Sequence, residues 1–394
     1  MKTTHLLFLL SLFLFAGCDD IDYDHSEMDS FSAYPVIGDQ SIQIDLIRTP
    51  KYVCGTVDGP PTQYYAPDYC ELYVSNDPDG PFENIYTARH PDKGDASYTM
   101  KAINGKPYYF YTLSYKKGFQ TIQTPNVMVV PGPQPAQQEI AQTTQTGYTY
   151  AQHISYSPVT NKIIYYVNNN EDPALSGIWQ TDPNGSYAEQ IIENGFNPYW
   201  DRTGEKIFYG NNIYDCKTKE TTVLPIEYTG TTHVSPDNNH LLYQAYDPSY
   251  NKYIHILDLQ TMEETVIMNF NLYYGVSSIS WINDDEYFFS GGLQKHNISK
   301  ASVKNRGIIS TFTSEWNDYA PSISPDKQKM AFISDRSGNL QVWIYNYASE
   351  SYRQITGYQK IDFTKSVMPL SNIEWLDNST ICFQYDNKII RIDI

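Results

Sequence analysis

Residues 324–356 read SPDKQKMAFISDRSGNLQVWIYNYASESYRQIT. A polar turn leads into a strand that mixes apolar and aromatic residues, and a second polar turn is followed by two more strands, LQVWIYN and YRQIT. With the short strand PSIS just ahead, the unit has four strands. One such sheet cannot bury both of its faces, so it needs neighbours of the same kind.

The chain supplies them. A polar or tryptophan anchor, followed six positions later by an apolar residue and eight positions later by an aromatic one, recurs in SPVTNKIIY from Ser157, DRTGEKIFY from Asp201, SPDNNHLLY from Ser235, WINDDEYFF from Trp281, SPDKQKMAF from Ser324 and WLDNSTICF from Trp375. The anchors lie 44, 34, 46, 43 and 51 residues apart. Four antiparallel strands per repeat of this length is the layout of a β-propeller blade. Past the sixth anchor only two strands remain, 381–385 and 388–394, so the last blade is one strand short. Residues 139–144, just ahead of the first blade, are expected to complete it and close the ring, which removes exposed sheet edges.

The fifth unit, with its S-P-D turn, SDRSG, QVW and RQIT, resembles the repeat of TolB-type (WD40-like) propellers. The resemblance covers about residues 140–394, is most specific in blade five and implies a six-bladed ring. It does not extend to the N-terminal part, which lacks the α/β character of the periplasmic TolB protein. There SIQIDLIRTP, CELYVSNDPDGPFENIYTA, ASYTMKAI, KPYYFYTLSYKKG and NVMVVPG read as strands between turn clusters, and their order resembles a fibronectin type III sandwich. The expected fold is therefore all-β: an N-terminal fibronectin type III-like β-sandwich (25–131), a Pro-rich linker (132–138) and a six-bladed β-propeller (139–394). The composition agrees, with 36 Tyr, 22 Gly, 23 Pro and only 18% charged residues.

The first residues carry a different signal. One Lys precedes an apolar run too short to span a bilayer, and small residues lead into Cys18. Residues 14–18, LFAGC, resemble the lipobox of bacterial lipoproteins, which implies a signal peptide over 1–17, acylation of Cys18 and an acidic tether over 18–24. A membrane attachment of this kind suits an outer-membrane protein facing the cell surface. In such an oxidising setting Cys54 and Cys70 are a candidate disulfide, whereas Cys216 and Cys382 fall in different repeats and are expected to be unpaired.

Function is bounded more than named. The net charge of −18, with no Lys or Arg cluster, argues against nucleic acid as a partner. No G-x-S-x-G elbow is present, which sets aside a propeller peptidase of the α/β-hydrolase kind. The histidines show no H-x-x-x-H spacing, and no metal or cofactor is expected. His153 and His233 precede anchors and could face the channel, and Asp318 with Glu374 is an imaginable carboxylate pair. Candidate binding residues lie on the loops joining second to third strands and blade to blade: Tyr246, Tyr250, Tyr273, Tyr274, Trp316 and Tyr319, aromatic platforms among Asn and Asp. The expected function is a non-catalytic protein- or glycan-binding platform, an accessory subunit of an outer-membrane uptake, secretion or assembly complex. The rival is a carbohydrate-active lyase or glycosidase with its site in the propeller channel. Clustered histidines or carboxylates at the channel mouth would favour the rival.

Overall fold

The computed structural model describes residues 26–49, 63–89, 96–142, 153–169, 171–226, 232–246, 252–270, 278–291, 295–358 and 370–394. The leader, Cys18, the acidic tether, Cys54, Tyr250, Tyr273 and Tyr274 lie outside them. No helix among the described residues is long and apolar enough to cross a membrane.

Residues 137–394 form six four-stranded antiparallel sheets, and in five of them the strands run in chain order from a first, inner strand to a fourth, outer one. The inner strands are Ile154–Ser157, Tyr199–Trp200, Thr232–Val234, Ile279–Trp281, Asp318–Ile323 and Leu370–Trp375. They lie against one another between blades one and two, two and three, four and five, five and six, and six and one. Between blades three and four, the indole Nε1 of Trp281 donates to the carbonyl of His233 at 3.3 Å. This is a closed six-bladed β-propeller. Blade six takes its outer strand, Gln137–Gln142, from the start of the propeller, paired antiparallel to Lys388–Asp393, as the strand count requires.

The anchors form the turns between first and second strands. Ser324 Oγ accepts from the amide of Lys329 at 2.9 Å and donates to Asp326 at 2.7 Å, and Asp201 Oδ1 accepts from the amides of Glu205 and Lys206 at 3.0 Å each. A short acceptor is needed there because the turn leaves amides unpaired. The turns are also tied blade to blade. The amide of Arg202 donates to Asn238 Oδ1 at 2.9 Å, and that of Asp326 to Asn378 Oδ1 at 3.0 Å. The core is divided into slices between blades: Ile333, Val342, Trp375 and Phe383 between five and six, and Ile254, Trp281, Tyr287 and Phe289 between three and four. Each buried side chain of this size contributes about 1.5–3 kcal/mol.

The chain divides into two compact units, one made of residues up to 35, 43–100 and 108–128, the other of 36–42, 101–107 and 129–394. In the N-terminal region one sheet has the order Ser30–Gly38, Ser41–Thr49, Ala96–Lys101. The second runs Val127–Val129, Tyr108–Tyr115, Tyr69–Ser75, Glu83–Arg89, with Ile122–Gln123 also on Tyr108–Tyr115. Alternate residues of Ser30–Gly38 and Tyr108–Tyr115 are buried, and the amide of Phe31 donates to Ser114 Oγ at 3.0 Å between the two sheets. Pro35 interrupts the strand Ser30–Gly38 and masks it in the sequence. Pro is tolerated there because this is an edge strand. Cys70 is a buried thiol, and Cys216 and Cys382 are free.

Candidate functional site

Two polar clusters of the ring differ in how well their groups are paired. The first lies on the face that carries the second-to-third-strand loops, where the sequence analysis placed the candidate binding residues. There Arg336, 3% exposed, donates from Nη2 to Asp318 Oδ1 at 2.9 Å and from Nε to Ser334 Oγ at 3.0 Å. Its guanidinium lies 4.6 Å from the ring centre of Tyr352, 4.8 Å from Phe332, 5.2 Å from Trp343 and 5.5 Å from Trp316. Asp318 also accepts from Ser314 Oγ at 2.8 Å, while Asp335 holds the amide and side chain of Asn317 at 2.8 and 2.7 Å. The SDRSG segment is thus a clasp that fixes the loop of blade five to the connection entering it.

This geometry bears on the expected sites. Trp316 is half-buried against Arg336, and Tyr319 is half-buried with its ring 4.5 Å from that of His296. Tyr246 ends the strand His240–Tyr246. Asp318 does not share a site with Glu374: it is 3% exposed and paired to Arg336, whereas Glu374 lines the channel.

The second cluster is the channel mouth on the opposite face, among the anchor turns. A cavity of about 660 Å³ opens there, lined by residues from the inner strands and anchor turns of all six blades. His153 and His233 both line it and are 8% exposed. Burial pushes the His153 imidazole down to about 4 and lowers that of His233 well below its ordinary value, with His153 and Arg202 adding to the effect, so both rings are neutral at physiological pH. Glu374 keeps partial contact with the channel yet is enclosed by protein. Its burial raises the carboxyl to about 8 against the opposing pull of Arg202.

Arg202 and Tyr199 were not singled out by the sequence analysis. Arg202 Nη2 donates to the Tyr199 hydroxyl at 3.3 Å, its guanidinium lies 5.9 Å from that ring, and Tyr199 meets His233 edge-on at 4.8 Å between centroids. Two further groups are left over. His233 Nε2 and Thr232 Oγ1 are buried with no hydrogen-bond partner among the described residues, and both residues line the cavity. Unpartnered buried polar groups cost about 1–3 kcal/mol each, so their persistence in a cavity wall marks a place where something else can pair with them. Among the described residues no group of three or more His, Cys, Asp or Glu side chains is placed to hold a metal.

No protein-family model matches this sequence, and no curated protein matches it. Similar solved structures include TolB from Acinetobacter baumannii, 13% identical over 75% of this chain and 78% of that one, with a TM-score of 0.45. An oligogalacturonate lyase in complex with manganese is 13% identical over 74% of this chain and 98% of that one, with a TM-score of 0.42. A putative TolB from Agrobacterium tumefaciens is 16% identical over 51% of this chain and 74% of that one, with a TM-score of 0.40.

Proposed function

We propose that this chain is a lipid-anchored, non-catalytic binding protein of the outer membrane, tethered through Cys18 and facing the cell surface. Its N-terminal region is a fibronectin type III-like spacer, a reading supported by a sheet of three and a sheet of five strands, which stand beside a two-stranded parallel pair of Ser26–Met28 with Gln63–Tyr65. Its propeller takes a small polar ligand, or the exposed end of a partner protein or glycan, in the channel mouth. The observation behind the binding reading is the cavity of about 660 Å³ whose wall leaves His233 Nε2 and Thr232 Oγ1 without hydrogen-bond partners among the described residues. Its volume falls within the usual range for small-molecule sites.

Co-purification from native outer membranes tests this reading. His233→Ala is expected to lose a partner or glycan that wild type and Trp316→Ala both retain. Loss with Trp316→Ala alone would move the site to the loop face, and retention by all three would end the reading. Cys18→Ala is expected to abolish labelling by radioactive palmitate.

A carbohydrate-active enzyme is the second reading, and one grouping favours it. Glu374, which holds its proton up to about 8, shares the cavity with two neutral imidazoles and Tyr199, an acid beside potential bases. Lyase and glycosidase assays on acidic and neutral polysaccharides decide between them. Turnover that Glu374→Gln abolishes would replace the binding reading.

A further inference from the structure

The charges of the channel mouth narrow what it can hold. Its titratable and charged lining comprises His153, Tyr156, Tyr199, Arg202, His233 and Glu374, with Asp284, Lys327 and Asp377 exposed at the rim. Near neutral pH the imidazoles are uncharged and Glu374 is largely protonated, which leaves the Arg202 guanidinium as the charge beside Tyr199 and His233. Among the described residues no carboxylate lies within ion-pairing distance of it. Lys327 is outnumbered at the rim by Asp284 and Asp377, so the mouth as a whole has no surplus of positive charge. A phosphate dianion would meet those carboxylates with the Arg202 guanidinium as the cation beside Thr232 and His233 to hold it. A monoanion matches that cation one for one, and the planar fork of a guanidinium fits a carboxylate.

We propose, on the reading that the channel binds a ligand, that it selects a small hydroxylated carboxylate, its anionic head on Arg202 and its hydroxyls paired with Thr232 Oγ1 and His233 Nε2. The ring of Tyr199 supplies the apolar wall between these two ends. Glu374, while it keeps its proton, is a hydrogen-bond donor that an anion tolerates. Once ionised it competes with the ligand for Arg202.

Titration calorimetry of the full-length protein in detergent, with gluconate, sorbitol and glucamine, tests the head group, because the three share one six-carbon polyol chain and differ at a single end. Gluconate is expected to bind at least ten-fold more tightly than the other two at pH 6.5. Arg202→Gln is expected to weaken it on the order of ten- to a hundred-fold, the usual worth of a hydrogen bond to a charged group, with the melting temperature as the check on folding. In wild type the affinity for gluconate falls as pH rises through about 8, and Glu374→Gln flattens that fall. Sorbitol or glucamine binding as tightly as gluconate, with Thr232→Val weakening it, overturns the charge inference and leaves the channel as the binding site. Binding of none of the three, or binding indifferent to both Thr232→Val and Arg202→Gln, overturns the carboxylate and also removes support from the channel reading.

Discussion

Arg336 and Arg202 occupy the two ends of the same ring and are treated in opposite ways by their surroundings. Arg336 is 3% exposed, ion-paired to Asp318 and enclosed by four aromatic rings; Arg202 is exposed, touches one tyrosine and faces no carboxylate within pairing distance among the described residues. A charge whose bonds are complete within the protein holds structure together. A charge beside His233 Nε2 and Thr232 Oγ1, which are buried without hydrogen-bond partners among the described residues, is available to something from outside. The aromatic loops near Arg336, which look in the sequence like a binding platform, include Trp316 as a wall of the clasp.

The largest expected effect lies on the satisfied side. Arg336→Ala strands the Asp318 carboxylate in a buried site, and removing one partner of a buried pair costs about 3–5 kcal/mol. Denaturant unfolding should show that loss, with Arg336→Lys recovering only part of it, since an ammonium cannot reproduce the fork contacts to Asp318 and Ser334. A loss below about 1 kcal/mol would break the contrast.

Next comes the pH dependence of stability, which reads the channel. The Glu374 carboxyl is raised to about 8 from an ordinary value near 4.5, so between those values the unfolded chain has lost a proton that the folded one keeps. Stability therefore declines as pH climbs through that window, by at most about 1.4 kcal/mol per unit from this group. His153 acts in the opposite sense: lowered to about 4 from 6.5, it costs stability as pH falls through that interval. Glu374→Gln should flatten the alkaline limb and His153→Phe the acid limb. Crossed effects, each variant flattening the other limb, would show that the two groups do not titrate as their burial requires.

The blades were legible because every anchor meets the same local need, an acceptor or bulky residue at a hairpin turn, and the need repeats with the fold. Ring closure followed from counting strands. The channel cluster was legible only in part, because Tyr199, Arg202, His233 and Glu374 come from three blades and share no spacing. His153 and His233 were picked out by their position before anchors. Glu374 was matched to Asp318, which the clasp had already claimed. Arg202 lies in the turn segment DRTG and stands where blades one, three and five carry Pro158, Pro236 and Pro325, and that departure from the repeat is the available signal.

Trp316→Ala is expected to come third. It removes one of four rings around Arg336 at 5.5 Å, and an Arg–aromatic contact contributes about 0.5–2 kcal/mol depending on how far it is desolvated. Thermal unfolding measures the loss directly. If the same substitution weakened gluconate binding without lowering the melting temperature, the loop face would be the ligand site and the clasp an incidental contact.

Arg202→Ala should change stability least. Its side chain is exposed, its bond to Tyr199 is long at 3.3 Å, and the turn is held through its backbone amide on Asn238, which the substitution leaves in place. A surface change away from a buried network stays within about 0.5 kcal/mol. Removing the guanidinium even relieves a small repulsion for any proton that His233 acquires, since Arg202 lowers the basicity of that ring. A near-silent unfolding curve is therefore the informative result, because it separates a charge held for a ligand from one that holds the fold. A loss approaching that of Arg336→Ala would mean that Arg202 is already paired within the protein, and the difference between the two ends of the ring would disappear.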